Sequence, residues 1–142
     1  MISGVYKRLS KIALNEFSDI IIESRILSLP SGVPLKIRLY LIDDTIVDIW
    51  ISVSGKYSYH WEQRDVRDIV YRHDNAPHER WEHVKTFPKH FHCESEDNVC
   101  ESDISDDPEE AIREFLSFIR VKMKEYFILE SGQLISDDRI YL

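Results

Sequence analysis

All six histidines of this 142-residue chain fall in one stretch: His60, His73, His78, His83, His90 and His92. The other 109 positions hold none. Histidine titrates nearest neutrality, so it serves as acid, base or metal ligand. The same stretch carries Tyr57, Tyr59, Trp61, Tyr71, Trp81, Phe87 and Phe91. Arg64, Arg67, Arg72, Arg80, Lys85 and Lys89 add cations. Aromatic rings stack on bases, and arginine and lysine hold phosphate. Tyr57 to His92 therefore reads as a nucleotide or nucleic-acid surface.

Metal-independent RNA cleavage needs a base for the 2′-OH, an acid for the leaving 5′-oxygen and a cation for the phosphate. His60, His73, His78 and His92, with Asp74, are the candidate catalytic groups. Tyr59, Trp61, Arg72, Asn75, Arg80 and His90 are the candidate substrate contacts. Asp74-Asn75-Ala76-Pro77-His78 reads as a turn that projects His78. On this reading no cofactor is expected. A weaker alternative is a zinc site of His90, His92, Cys93 and Cys100. Zinc accepts that mix, but the paired C-x2-C spacing is absent. A catalytic metal held by histidines alone, or with Asp74, is a further alternative. In a third reading the aromatic and histidine face is a non-enzymatic interface that blocks a host target.

The elements that must position these groups follow from hydrophobic spacing. Val5, Leu9, Ile12, Ala13 and Phe17 recur at helical intervals, predicting a helix within 1–18. Asp19 to Leu29 reads as a strand closed by Pro30-Ser31-Gly32. Leu35, Ile37, Leu39 and Leu41 alternate with Lys36, Arg38 and Tyr40. Ile46, Asp48, Trp50 and Ser52 alternate with Val47, Ile49, Ile51 and Val53. The two runs form a hairpin with a half-buried face. Tyr57 to Gln63 and Asp68 to His73 add two strands. Within them Tyr57, Tyr59 and Trp61 oppose Ser58, His60 and Glu62, and Tyr71 and His73 oppose Arg72 and Asp74. Which set faces inward is left open. Thr86 to His92 reads as a short edge strand because of Pro88. An acidic, solvated loop covers 93–107. Asp107-Pro108-Glu109-Glu110 starts a helix over 108–130, whose stripe Ile112, Phe115, Leu116, Ile119, Met123 and Tyr126 faces the core. Residues after Gly132 read as a loosely attached tail. The expected architecture is α+β: a meander of four to six antiparallel strands with an N-terminal and a C-terminal helix packed on it.

The length is that of one domain, spanning 1–142. The net charge is −8, but it is uneven. Up to His92 there are 13 Lys and Arg against 12 Asp and Glu; from Cys93 onward there are 5 against 14. Glu94 to Glu110 holds no Lys or Arg. A chain this acidic has no global attraction for nucleic acid, so any such binding must be local. The acidic strip could instead hold a basic partner. No apolar run approaches the span of a membrane helix, no signal peptide is seen, and two cysteines do not make a disulfide scaffold. A cytoplasmic protein is expected, with no membrane partner and with a homodimer left open.

Three motifs, in order, carry a resemblance: Tyr57-Ser58-Tyr59-His60-Trp61, Arg72-His73-Asp74-Asn75-Ala76-Pro77-His78, and Thr86-Phe87-Pro88-Lys89-His90-Phe91-His92. They resemble the TumE-like toxin family of prokaryotic type II toxin–antitoxin systems. The likeness extends from the hairpin around Leu35 to Trp50 to the helix from Pro108. Two positions depart from the family's pattern: Glu79 and Lys89 each stand where it has a histidine. The resemblance implies a growth-inhibiting protein neutralised by a helix-turn-helix antitoxin encoded nearby; RNA as its target is read from the histidines and cations, not from the resemblance.

Overall fold

A computed structural model describes residues 2–132; the tail expected after Gly132 lies outside them. Helix α1 (Ile2–Glu16) leads into seven strands: β1 (Ile21–Ser28), β2 (Pro34–Leu41), β3 (Ile46–Ile51), β4 (Tyr57–Glu62), β5 (Val70–Asp74), β6 (His90–Glu94) and β7 (Val99–Glu101). They form one antiparallel sheet in sequential order. A one-turn helix α2 (Arg64–Arg67) joins β4 to β5, and helix α3 (Pro108–Ser131) follows the sheet. The α+β meander is as expected, but seven strands replace four to six. The extra strand is β7, inside what reads as an acidic loop. Charge hid it: Val99 is the strand's one apolar residue, and an edge strand needs no apolar face. With β7 outside it, β6 is not the edge strand expected at Thr86 to His92.

From β2 to β6 the odd-numbered residues face the helices and the even-numbered ones face away. Ile37, Leu39, Leu41, Val47, Ile49, Ile51, Tyr57, Tyr59, Trp61 and Tyr71 join Leu9, Ile12, Ala13, Ile112, Phe115, Leu116 and Ile119 in one core. Burying each large side chain is worth roughly 1.5–3 kcal/mol. The core takes its polar tips with it. Trp61 Nε1 donates to Thr45 Oγ1 at 2.9 Å. Tyr6, fully buried, donates from its hydroxyl to Leu35 O at 3.0 Å and accepts from the Ile51 amide at 3.0 Å, so α1 is bolted to β2 and β3. Asp107 caps α3 by accepting from the Glu110 amide at 3.0 Å, with Pro108 in its first turn. The return bond of a capping box is replaced by Ser105, which accepts from the Asp107 amide and donates to Glu110.

His73 is odd-numbered and so belongs to the helix side. Its ring stacks on Phe91 with centroids 4.1 Å apart and meets Phe115 edge-on, while Nδ1 lies 2.7 Å from Ser102 Oγ. Burial, and then Lys89, push its pKa down to about 4. It is neutral in the folded protein at pH 7.

Two outcomes follow for stability. Tyr6→Phe leaves the buried Ile51 amide without its acceptor and lowers urea-unfolding stability by about 1–3 kcal/mol. In the pH dependence, an unfolded His73 titrates near 6.5 and the folded one near 4, so the unfolded chain binds the extra proton between those values. That stability is fully present above pH 6.5 and is lost as pH falls towards 4, to the extent of about 3 kcal/mol. Urea melts of His73→Phe across that window have a shallower slope than wild type; an unchanged slope contradicts the assignment.

Candidate functional site

The even-numbered residues build the opposite face. Register places Arg38, Asp48, His60, Arg72 and His92 directly across from one another on β2 to β6. A second row runs through Trp50, Ser58, Asp74 and His90. A cleft of about 640 Å³ opens over the β3–β5 part of these rows, and the β6 members His90 and His92 do not line it. Lys36, Asp48, Trp50, Lys56, His60, Arg72 and Asp74 line it, and Asn75 to Pro77 form its rim. Its size suits a small organic ligand or one nucleotide.

Asp48 is fixed by Lys36 at 2.9 Å and by a two-point contact with Arg38 at 2.8 and 2.9 Å. His60, with 17% of its side chain exposed, places Nε2 3.1 Å from Glu62 Oε1. A carboxylate only accepts, so Nε2 carries the proton and Nδ1 holds the lone pair of the neutral ring. Burial first, and Arg72 beside it, lower the His60 pKa against the pull of Glu62. Arg64 hydrogen bonds in turn hold the Glu62 carboxyl down at about 2. A neutral imidazole oriented by a carboxylate in this way can serve as a base.

Arg72 holds the deeper part together. Nε donates to Asp74 Oδ2 at 2.9 Å, Nη1 to Glu96 Oε2 at 2.9 Å and Nη2 to His92 Nε2 at 3.0 Å. Burial alone would raise the Asp74 pKa, yet contacts from His92 and Arg72 hold it at about 2. His90 Nε2 sits 3.0 Å from Asp74 Oδ1, and Asp74, His90 and His92 each bring one ligand atom within 4.8 Å of the others. The loop from Asn75 to Lys89 roofs this cluster. Asp74 Oδ1 accepts from the Ala76 amide at 3.0 Å, starting the turn. A single 3-10 turn (Glu79–Trp81) then folds the Trp81 ring against His90 and His92, with centroids 6.3 and 5.9 Å away.

The structure thus gathers His60, Arg72, Asp74, His90 and His92 from the residues singled out in the sequence. It sends the others elsewhere. His73 lies across the sheet. Tyr59 and Trp61 are 1% and 0% exposed in the core and cannot stack a base. The aromatic face expected as a binding surface is largely turned inward for the same reason. Asn75 spends its amide on the fold, accepting from the Tyr57 amide and donating to Gly55 O at 2.9 Å each. His78 is exposed and caps the 3-10 turn through Nδ1. Arg80 reaches Asp97 and stacks over Trp81. The His90, His92, Cys93 and Cys100 set does not converge: Cys93 is odd-numbered and packs on the core side, and Cys100 sits exposed on β7. Lys89 turns away to Ile104 O and Asp106, and Glu79 is exposed, so neither departure contributes an atom to the cluster.

Sequence reasoning missed Lys36, Asp48, Trp50, Lys56, Glu62 and Glu96. The alternation in β2 and β3 marks Lys36, Asp48 and Trp50 as one face, but only the β3–β4 register, with Asp48 opposite His60, brings them to the site. The acidic strip is less free than its composition suggests. Glu96, Asp97, Asp106 and Glu109 pair within the chain with Arg72, Arg80, Lys89 and Arg8.

Among the described residues no helix is long and apolar enough to cross a membrane. No curated protein and no solved structure matches the chain. A protein-family model described as Toxin TumE matches residues 10–123, which takes in α1 from its middle, the whole sheet and most of α3. Membership in a toxin family implies a cognate antitoxin. Over that span, cleft and buried cluster included, the chain belongs to the TumE toxin family.

Proposed function

We propose that this toxin arrests growth by cleaving RNA in the cleft on the outer face of the sheet, with His60 as the base. The observation that carries the reading is the pairing of His60 with Arg72 in a nucleotide-sized cleft, with Glu62 on the far side of the ring. A neutral His60 with a free Nδ1 is suited to take the 2′-OH proton near pH 7. Lys36, Lys56 and Arg72 supply positive charge for the phosphodiester. Trp50, 42% exposed, offers the stacking surface that the buried Tyr59 and Trp61 do not. Of these, Lys36 pairs with Asp48 and Arg72 with Asp74 and Glu96, so among the described residues Lys56 is the lining cation with no carboxylate partner.

This reading drops His73 and His78 as catalytic groups. The leaving 5′-oxygen takes its proton from solvent, because His92 donates Nδ1–H to the Glu96 carbonyl and its Nε2 accepts from Arg72. The partner that neutralises the toxin is, on the resemblance alone, a helix-turn-helix protein encoded beside it.

RNA degradation by the purified chain, scored beside growth arrest on expression, tests the proposal. His60→Gln lowers cleavage by about 10²–10⁴-fold and relieves the arrest. Trp50→Ala weakens RNA binding by about 1–3 kcal/mol and leaves the fold intact. Full cleavage or full toxicity in His60→Gln sinks the reading.

A further inference from the structure

Two imidazoles and a carboxylate meet under Trp81, and their hydrogen bonds are arranged in a particular way. His90 Nδ1 lies 2.9 Å from Pro88 O, and His92 Nδ1 lies 2.8 Å from Glu96 O. A carbonyl only accepts, so both rings carry their proton on Nδ1. When neutral, both therefore hold their lone pair on Nε2. Both Nε2 atoms face Asp74, His90 at 3.0 Å from Oδ1 and His92 at 3.6 Å from Oδ2. At His92 the Arg72 guanidinium already joins ring and carboxylate. At His90 a lone pair faces the ionised carboxylate at 3.0 Å, which repels unless a proton or a metal ion stands between them. Backbone carbonyls holding the distal ring nitrogens are the arrangement that orients metal-binding histidines. The residues come from two adjacent strands, β5 and β6, and are 8%, 2% and 3% exposed, so the site is rigid and desolvated.

We infer that Asp74, His90 and His92 form a binding site for one divalent transition-metal ion. Two imidazoles and one carboxylate match a borderline ion such as zinc, not calcium or magnesium with their all-oxygen shells. Three protein ligands leave a coordination position open, and Asp74 lines the His60 cleft. Arg72 occupies His92 Nε2 when no ion is bound; it yields that contact and keeps Asp74 and Glu96. An ion bound there would stand against the metal independence expected from the sequence. If RNA is the substrate, an ion held by Asp74, His90 and His92 would supply charge stabilisation for the leaving oxygen. The site itself does not depend on that reading, because the ligands converge whatever the cleft binds.

The test is metal binding by the full chain, stripped with chelator and dialysed, in the absence of RNA. Calorimetric titration with zinc gives one ion per chain. Cobalt(II) binds at the same stoichiometry and quenches tryptophan fluorescence, and Trp81→Phe removes most of that quenching because Trp81 is the ring over His90 and His92. His90→Gln and His92→Gln each weaken binding by at least about tenfold. His78→Gln and His83→Gln, on the exposed loop, bind as wild type does. Thermal melts without metal check each variant; if a histidine variant fails to fold, Asp74→Asn decides in its place. No binding of zinc or cobalt, or equal affinity in His90→Gln and His92→Gln, overturns the site and leaves a plain imidazolium–carboxylate pair. Loss of RNA cleavage with retained metal binding would instead strike only the catalytic reading.

Discussion

Every strand of this meander has two faces, and the side-chain period of two assigns each residue to one of them. Continuous antiparallel pairing keeps the assignment in step from β2 to β6, so neighbouring residues of one motif part company. Tyr71 and His73 go to the helices, and Arg72 and Asp74 to the opposite surface. A one-residue slip in β5 would exchange the stacked His73 for the charged Arg72 inside the core. The apolar face thus locks the register, and the register in turn sets the polar face. That dependence runs one way, because exposed polar residues tolerate many registers and the core tolerates one.

The same period explains what the sequence could reveal. The alternation in β2 and β3, the pattern of α1 and the Asp107-Pro108 start of α3 are local signals, and each element forms there. The strand β7 carries no such signal, since its position at the edge asks only for backbone pairing. For the site, type and clustering of histidines pointed to the segment that contributes His60, Arg72 and Asp74 to the cleft and His90 and His92 to the buried cluster. They could not separate His60, His90 and His92 from His73, because which parity faces inward depends on where the helices pack. Asn75 and His78 show another limit. Polar residues in a turn look like projected functional groups, yet the turn uses Asn75 to tie β4 to Gly55 and His78 to cap a 3-10 turn.

A buried set of one guanidinium, one carboxylate and two imidazoles is a poor way to stabilise a fold. Desolvating such charges costs several kcal/mol per ion, and apolar side chains of the same volume would do as well or better. The members are nevertheless held in place: Asp74 accepts from Ala76 and Arg72, His92 contacts Glu96 O and Arg72, and His90 contacts Pro88 O. The oriented contacts hold the rings in one tautomer and one rotamer. Such rigidity is what a ligand site requires and what a core does not, so the cluster makes sense as a functional feature set into a sheet whose stability comes from its other face.

The acidic strip then takes a place in the same scheme. Asn98 pins the β6–β7 turn, accepting from Cys93 N through its carbonyl and donating to Cys93 O through its side chain. The pinned turn sets Glu96 over the cluster, where its carbonyl takes His92 and its carboxylate takes Arg72. The carboxylate draws part of the Arg72 charge away from Asp74. It also holds the guanidinium when the His92 contact is given up. A run of negative charge that composition alone marks as solvent-facing is, at this one residue, the outer wall of the buried cluster.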